Sequence, residues 1–314
     1  MALVLAEFIL DLIQYIVAGF AVGLLVGLTG VGGGSLMTPI LMLFFNVKGA
    51  VAVGTDLLYA SITKTAGIFA HGKLGNIDWK MVGLLAIGSI PASLITLLYL
   101  KDLDLGSESA VKSIKFWLGI ALLLTSIAVI FRNQLASLSK TGHWINPRYV
   151  PTLTVILGLV LGFLVTLTSV GAGALGVTAL LILYPKVHIT RIVGTDVAHA
   201  VPLTLVAGLG HASLGNIDYS LLGTLLIGSI PGIWIGSHLS SKVAEHWVRV
   251  ILALILVYVG QKLAFPQFNQ LIGMVVLLFV IAFKQLNFKK PKAAKHASTT
   301  TSTTTSTTSA KSIK

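Results

Sequence analysis

The stretch GTDLLYASITKTAGIFAHGKLGNIDWKMVGLLAIGSIP, residues 54–91, occurs a second time as GTDVAHAVPLTLVAGLGHASLGNIDYSLLGTLLIGSIP, residues 194–231. At this offset of 140, 17 of 38 positions are identical. Apolar sequence of low complexity can resemble itself by chance, but shared Asp, His, Asn and Pro at one spacing do not arise that way. Just upstream, LTGVGGGSL (28–36) aligns with LTSVGAGAL (167–175) after a one-residue slip. The chain is an internal duplication.

Working outward, each half divides into five apolar segments, near 8–28, 35–45, 49–70, 80–100 and 112–132, then 147–168, 173–185, 189–211, 220–240 and 246–263. A membrane helix needs about 20 mostly apolar residues, and most segments meet that length. The second segment of each half is short and follows a glycine-rich break, the pattern of a half-helix. The expected fold is an all-α polytopic membrane protein of two homologous repeats, each of about five helical segments with short half-helices after the breaks. Five crossings per half make the repeats inverted. Four would make them parallel, and the inverted arrangement is the one expected. The boundaries follow: residues 1–135 form the first transmembrane repeat, 136–147 an inter-repeat loop and 148–265 the second repeat. An extra C-terminal transmembrane helix occupies 266–288, and 289–314 is a disordered basic Ser/Thr-rich tail that could not bury a core.

Composition agrees. Of 314 residues, 55% are hydrophobic and 10% charged, with mean hydropathy +0.93. A soluble domain carries about 25% charged residues, so a soluble enzyme is excluded. The net charge of +12 is not a nucleic-acid signature, because Lys284, Lys289, Lys290, Lys292, Lys295, Lys311 and Lys314 supply seven of the positives at the end of the last span and beyond it. Such a cluster marks a cytoplasmic end. Counting loop Lys and Arg gives 14 inside against 5 outside for ten crossings with an outside N-terminus, and 13 against 6 if each break makes one crossing of two segments. Both place the C-terminus in the cytoplasm. Glu7 and Asp11 stand where a signal peptide has basic residues, so the first span is read as retained. Zero cysteines exclude disulfides and thiolate sites.

Polar groups inside a bilayer are costly unless paired or facing a cavity, so each is a functional candidate. In the first break these are Thr29, Gly32, Gly33, Gly34 and Ser35, and in the second Thr168, Ser169, Gly171 and Gly173. A glycine run frees backbone N–H groups before the next helix, which can hold an anion. It also allows close helix packing. Asp56 and Asp196 lie within apolar helices. Each could bind a coupling proton or cation, or cap a helix beginning just after Gly54 or Gly194. Lys64 offers compensating charge, and Thr204 stands at its counterpart. His199 follows Asp196 by three residues, on one helix face. The two LGNID stretches read as turns, with Asp78 and Asp218 capping the next helix. His71 and His211 sit at boundaries where protonation could gate access. Pro91 and Pro231 are expected to kink their helices.

The GLTGVGGGSLMTPIL stretch (27–41), VGTD at 53–56 and 193–196, and the HGKLGNID/HASLGNID turns resemble the TauE/SafE family, the 4-toluene sulfonate uptake permeases. The resemblance covers about residues 8–285 and implies an integral membrane carrier of small sulfur-containing or other organic anions. It also implies that Gly32, Gly33, Gly34 and Ser35 form the family's first glycine-rich motif and that Gly171 and Gly173 belong to its copy. There Ala172 departs from the pattern.

The function expected is secondary transport of a small anion such as sulfite or a sulfonate, by alternating access around a midplane site. Thr29, Gly32, Gly33, Gly34, Ser35, Lys64, Thr168, Ser169, Gly171 and Gly173 would bind substrate, and Asp56, Asp196 and His199 would couple ions. No catalytic residue, metal or cofactor is expected. The expected partners are the lipid bilayer, a small organic or inorganic anion and a coupling proton or cation, and a homodimer is admitted. Nucleic acid is not a partner. An anion channel is the alternative, and an intramembrane aspartyl protease built on Asp56 and Asp196 a remoter one.

Overall fold

The computed structural model describes residues 2–29, 36–73, 75–105, 107–141, 146–239, 245–269, 272–275 and 277–278. Residues 1–277 form one compact unit. The C-terminal helix expected at 266–288 lies outside the described residues except for short helical pieces at 272–275 and 277–278, and the tail at 289–314 lies wholly outside them.

Ten α-helices are described, with no strand among the described residues: α1 Ala2–Thr29, α2 Met37–Phe44, α3 Gly49–Lys73, α4 Trp79–Lys101, α5 Glu108–Thr141, α6 Val150–Thr168, α7 Ala174–Leu183, α8 Ile189–Ser213, α9 Tyr219–Leu239 and α10 Glu245–Ala264. They match the ten apolar segments in order. α5 continues to Thr141, into the stretch read as loop. At 1.5 Å per residue, α2 and α7 reach only about 12 and 15 Å, half of a hydrocarbon core about 30 Å thick. Both are half-helices. α4 and α9 run unbroken through Pro91 and Pro231.

Among the described residues six helices are long and apolar enough to cross a membrane: those within 79–101, 108–132, 147–168, 189–213, 219–239 and 247–264. α3 has the length, with 25 residues, but carries Asp56, Lys64 and several hydroxyls. It is tolerated because Thr55, Asp56, Ser61 and Lys64 are buried among other helices, and the part-buried Thr63 and Thr65 donate to carbonyls of their own helix. Outward-facing aromatics stand at helix starts, with Trp79, Tyr149, Tyr219 and Trp247 all exposed. That is where amphipathic rings anchor at a bilayer surface.

The halves hold each other by exchange. Lipid tails are as apolar as leucine, so close backbone packing rather than hydrophobicity drives helices together. Gly19, Gly23 and Gly27 of α1 meet the backbone of Leu225, Ser229 and Ile233 on α9, while Gly228, Gly232 and Gly236 of α9 meet Ile16, Phe20 and Leu24. A Cβ at any of these would sit on the opposing backbone. The counterpart pair repeats the arrangement: Gly158 and Gly162 of α6 meet Leu85 and Ser89 on α4, and Gly88 of α4 meets Val155. Residue numbers rise together, so each pair runs parallel. The central helices instead run antiparallel, with Gly54 of α3 against His211 and Asn216, and Gly208 of α8 against Leu58. α5 and α10 are antiparallel too: Gly119 meets Gly260 and Ala264, and Ser126 Oγ donates to the Ala253 carbonyl at 3.2 Å.

Candidate functional site

Asp56 and Asp196 are each the eighth residue of their helix, α3 and α8, so neither caps its own. Both are buried. Because α3 and α8 run antiparallel, the carboxylates lie toward opposite ends of the pair, with Lys64 between them. Asp56 caps a different helix. Its Oδ2 accepts from the Thr38 N–H (3.1 Å) and the Thr38 hydroxyl (2.6 Å), at the start of α2. The first N–H groups of a helix have no partner within it, and a carboxylate there also meets the positive end of the helix dipole. Asp196 sits against α7. Its Oδ1 presses on Gly176, where no side chain fits, and the Gly173 N–H lies beside the carboxyl without closing a hydrogen bond of ordinary geometry.

The unwound segment between α6 and α7 threads past the three charges in order. Ser169 lies beside Asp56, the Ala172 carbonyl accepts from Lys64 Nζ at 3.3 Å, and Gly173 adjoins Asp196. Its backbone is built for this path. Gly171 and Gly173 have φ of 130° and 123°, open to glycine but not to L side chains. Ser169 adopts the left-handed conformation at φ 59°, uncommon for a residue with a side chain. Lys64 is close enough to feel both carboxylates, yet among the described residues it closes no ion pair.

His199 is buried, and its Nε2 bonds Ser89 Oγ at 2.8 Å. At the positions related to these two by the duplication stand Tyr59 and Ser229, which adjoin without a closed bond. The unpartnered buried polar atoms concentrate at this centre: Asp56 Oδ1, both oxygens of Asp196, His199 Nδ1, Tyr59 Oη, Ser169 Oγ and Ser229 Oγ have no hydrogen-bond partner among the described residues. Buried polar groups are normally satisfied, so such a concentration marks a place that holds water, ions or ligand.

The structure thus brings together Asp56, Lys64, Ser169, Gly173, Asp196 and His199, with Gly171 shaping the path. Gly32, Gly33, Gly34, Ser35 and the Thr29 side chain lie outside the described residues. Thr168 takes a local role, donating to the Leu164 carbonyl (2.6 Å) and accepting from the Val170 N–H (3.1 Å). His211, in the last turn of α8, is buried, and Nε2 donates to the Thr166 carbonyl at 3.0 Å. The His71 side chain lies outside the described residues. The LGNID turns do cap: Asp78 Oδ1 accepts from the N–H groups of Lys80 (3.2 Å) and Met81 (3.3 Å), and Asp218 Oδ1 from that of Leu221 (2.9 Å). They also cross between halves. The Asp78 N–H donates to Thr195 Oγ1 (2.9 Å), and the Asp218 N–H to Thr55 Oγ1 (3.1 Å). Sequence reasoning passed over Thr38, Tyr59, Ser89, Gly176 and Ser229. The signal for two of them was present, since Ser89 and Ser229 are the repeated serines of IGSIP.

A bundle with six helices able to cross a bilayer, two half-helices and a buried charged centre is that of a multi-pass membrane transporter. Residues 15–263 match the family described as Sulfite exporter TauE/SafE, and the chain belongs to that family. It is similar to the probable membrane transporter protein YjnA of Bacillus subtilis, 41% identical over 256 residues, 80% of this chain and 99% of that protein. A probable membrane transporter protein of Methanocaldococcus jannaschii is 30% identical over 270 residues, covering 81% and 96% of the two chains. No solved structure matches the chain. It is a transporter seated in a lipid bilayer, not an enzyme.

Proposed function

We propose that the chain is a secondary carrier of small sulfur-containing oxyanions, sulfite or a sulfonate, working by alternating access at the centre around Lys64. The observation that carries this reading is the unwound 169–173 segment running past Asp56, Lys64 and Asp196. The family's description as sulfite exporters supports the cargo class. The antiparallel pairing of α3 with α8 and of α5 with α10 supports inverted repeats, the symmetry from which two alternately open states arise. The C-terminus lies in the cytoplasm, beside the plasma membrane, where its lysines meet anionic lipid.

The anion's attraction comes from Lys64 more than from the half-helix N–H groups. The Thr38 N–H is already held by Asp56, and the Gly173 N–H adjoins Asp196. In the first break, Gly32, Gly33, Gly34, Ser35 and Thr29 remain candidates for the cradle. With all three ionised, Asp56, Asp196 and Lys64 together carry one excess negative charge, Arg132 being a further cation that Asp196 feels, and an entering anion adds another negative charge. A proton on Asp56 or Asp196 removes the repulsion, with His199 the other titratable group facing Lys64. Anion and proton then travel together. Uptake of labelled methanesulfonate, which stays a monoanion across the working range, should quicken when the loading side of a proteoliposome is acidified. Transport indifferent to pH on both sides would remove the proton coupling. No uptake of sulfite or sulfonate under any gradient would remove the carrier reading.

A further inference from the structure

We propose that Tyr59, Ser169 and Ser229 supply three hydroxyl donors which, with the Lys64 ammonium, form the pocket that grips a three-oxygen anion. This rests on the carrier reading and names the groups that recognise the cargo. In a membrane interior a hydroxyl without a partner is unusual, and this chain shows how its threonines avoid it. Thr63, Thr65, Thr96, Thr125 and Thr204 each donate back to the carbonyl four residues earlier on their own helix. Tyr59, Ser169 and Ser229 do not. All three are at least nine-tenths buried, and their oxygens have no partner among the described residues.

The three belong to one place. Asp56 and Tyr59 are three residues apart on α3, neighbours on one face, and Lys64, eight residues after Asp56, lies about 80° around the helix from it. The Tyr59 hydroxyl adjoins that of Ser229 from α9, Ser169 adjoins Asp56, and Tyr59 lies within reach of the Asp56 charge. Lys64 reaches toward the same carboxylate. The duplicated positions supply the contrast. His199 and Ser89, the duplicates of Tyr59 and Ser229, satisfy each other at 2.8 Å across the halves. The duplication therefore permits a closed pair at these sites, and the Tyr59–Ser229 pair is left open. Hydroxyls rotate to suit their acceptors. Three of them beside one ammonium fit the three oxygens of sulfite or a sulfonate group, whose charge sits on those oxygens. A halide has a single centre and uses the donors poorly.

The test is calorimetric titration of sodium sulfite and methanesulfonate into the purified full chain in nanodiscs, at fixed pH. Tyr59→Phe and Ser229→Ala should each weaken binding about tenfold, the loss expected when a hydrogen bond to a charged ligand is removed. Thr125→Val, which removes a hydroxyl already bonded to its own helix, should leave binding within about twofold. Thermal unfolding confirms that each variant is folded. Either of the two pocket variants folded and binding like wild type overturns the pocket while leaving the carrier reading intact. A wild-type chain that binds neither anion overturns the cargo reading and the pocket with it.

Discussion

The two halves share a frame and differ in chemistry. Much of the frame is duplicated: α1 meets α9 as α6 meets α4, with glycines matching at three of six positions (Gly19 with Gly158, Gly23 with Gly162, Gly228 with Gly88), and the turn of each half donates its Asp N–H to the threonine before the other half's buried aspartate. The centre is not duplicated. Asp56 has one oxygen held by two Thr38 donors, whereas both oxygens of Asp196 lack partners among the described residues. Lys64 faces Thr204 across the duplication, and Tyr59 faces His199. Under the alternating-access reading proposed above, a symmetric frame would give two conformations of similar energy. An asymmetric centre would give those conformations different affinities, and only a difference in affinity lets a ligand shift a population.

The largest way to break this comparison is at Lys64. Removing it in Lys64→Met leaves two buried carboxylates without their central cation, and losing one partner of a buried charge set costs about 3–5 kcal/mol. Thermal unfolding should fall accordingly, and anion uptake should vanish. The sharper variant moves the charge across the duplication. Lys64→Thr combined with Thr204→Lys restores a cation at the symmetry-equivalent place, and should recover stability well above that of Lys64→Thr alone. A swap no better than the single change would mean that the lysine's surroundings, beyond its charge, differ between halves. Lys64→Met as stable as wild type would remove it as the counter-charge.

A second effect separates the aspartates. Thr38→Val deletes the 2.6 Å hydroxyl bond to Asp56, and a hydrogen bond to a charged group contributes about 1.5–3 kcal/mol. Thr178, on the other half-helix, donates at 3.5 Å to the Ala128 carbonyl and touches no carboxylate hydrogen bond. Thr178→Val should therefore cost under about 0.5 kcal/mol, the range of a bond at the edge of acceptable geometry. Equal losses in parallel denaturation curves would show that Asp196 depends on its half-helix as Asp56 does.

Much of this is legible in the chain's residues alone. The offset of 140 marks the duplication, the lengths of the apolar segments mark the ten helices, and the glycine breaks mark α2 and α7 as half-helices. Asp56, Lys64, Asp196 and His199 stand out because charge in apolar sequence is expensive wherever it folds. What cannot be read is pairing between helices. Thr38 meets Asp56 only because the start of α2 lies against α3, and Ala172 meets Lys64 across 108 residues of chain. Helical periodicity says which face a residue occupies and nothing about which helix covers that face. Gly176 reads as one more small residue in a short apolar helix, and only the fold presses Asp196 upon it. Tyr59 and Ser229 carry no charge to draw attention.

The smallest effect tests the shared frame at its ends. Thr55→Val and Thr195→Val each remove the acceptor of a turn N–H, worth about 1 kcal/mol. The bonds lie at opposite ends of the α3–α8 pair, so each loosens one turn. They differ in reinforcement. Asp78 also reaches Arg191 at 3.3 Å, an ion pair with the arginine half exposed, while the residue equivalent to Arg191 is Val51. Exposed pairs contribute between nothing and about 1 kcal/mol. Thr55→Val should then speed amide exchange in the 214–218 turn more than Thr195→Val speeds it at 75–78. Adding Arg191→Gln to Thr195→Val should close most of that gap, and high salt should do the same without any mutation. Matched exchange in both single variants at low salt would mean the ion pair adds nothing. The two ends of the frame would then be equivalent despite the Arg191–Asp78 pair at only one of them.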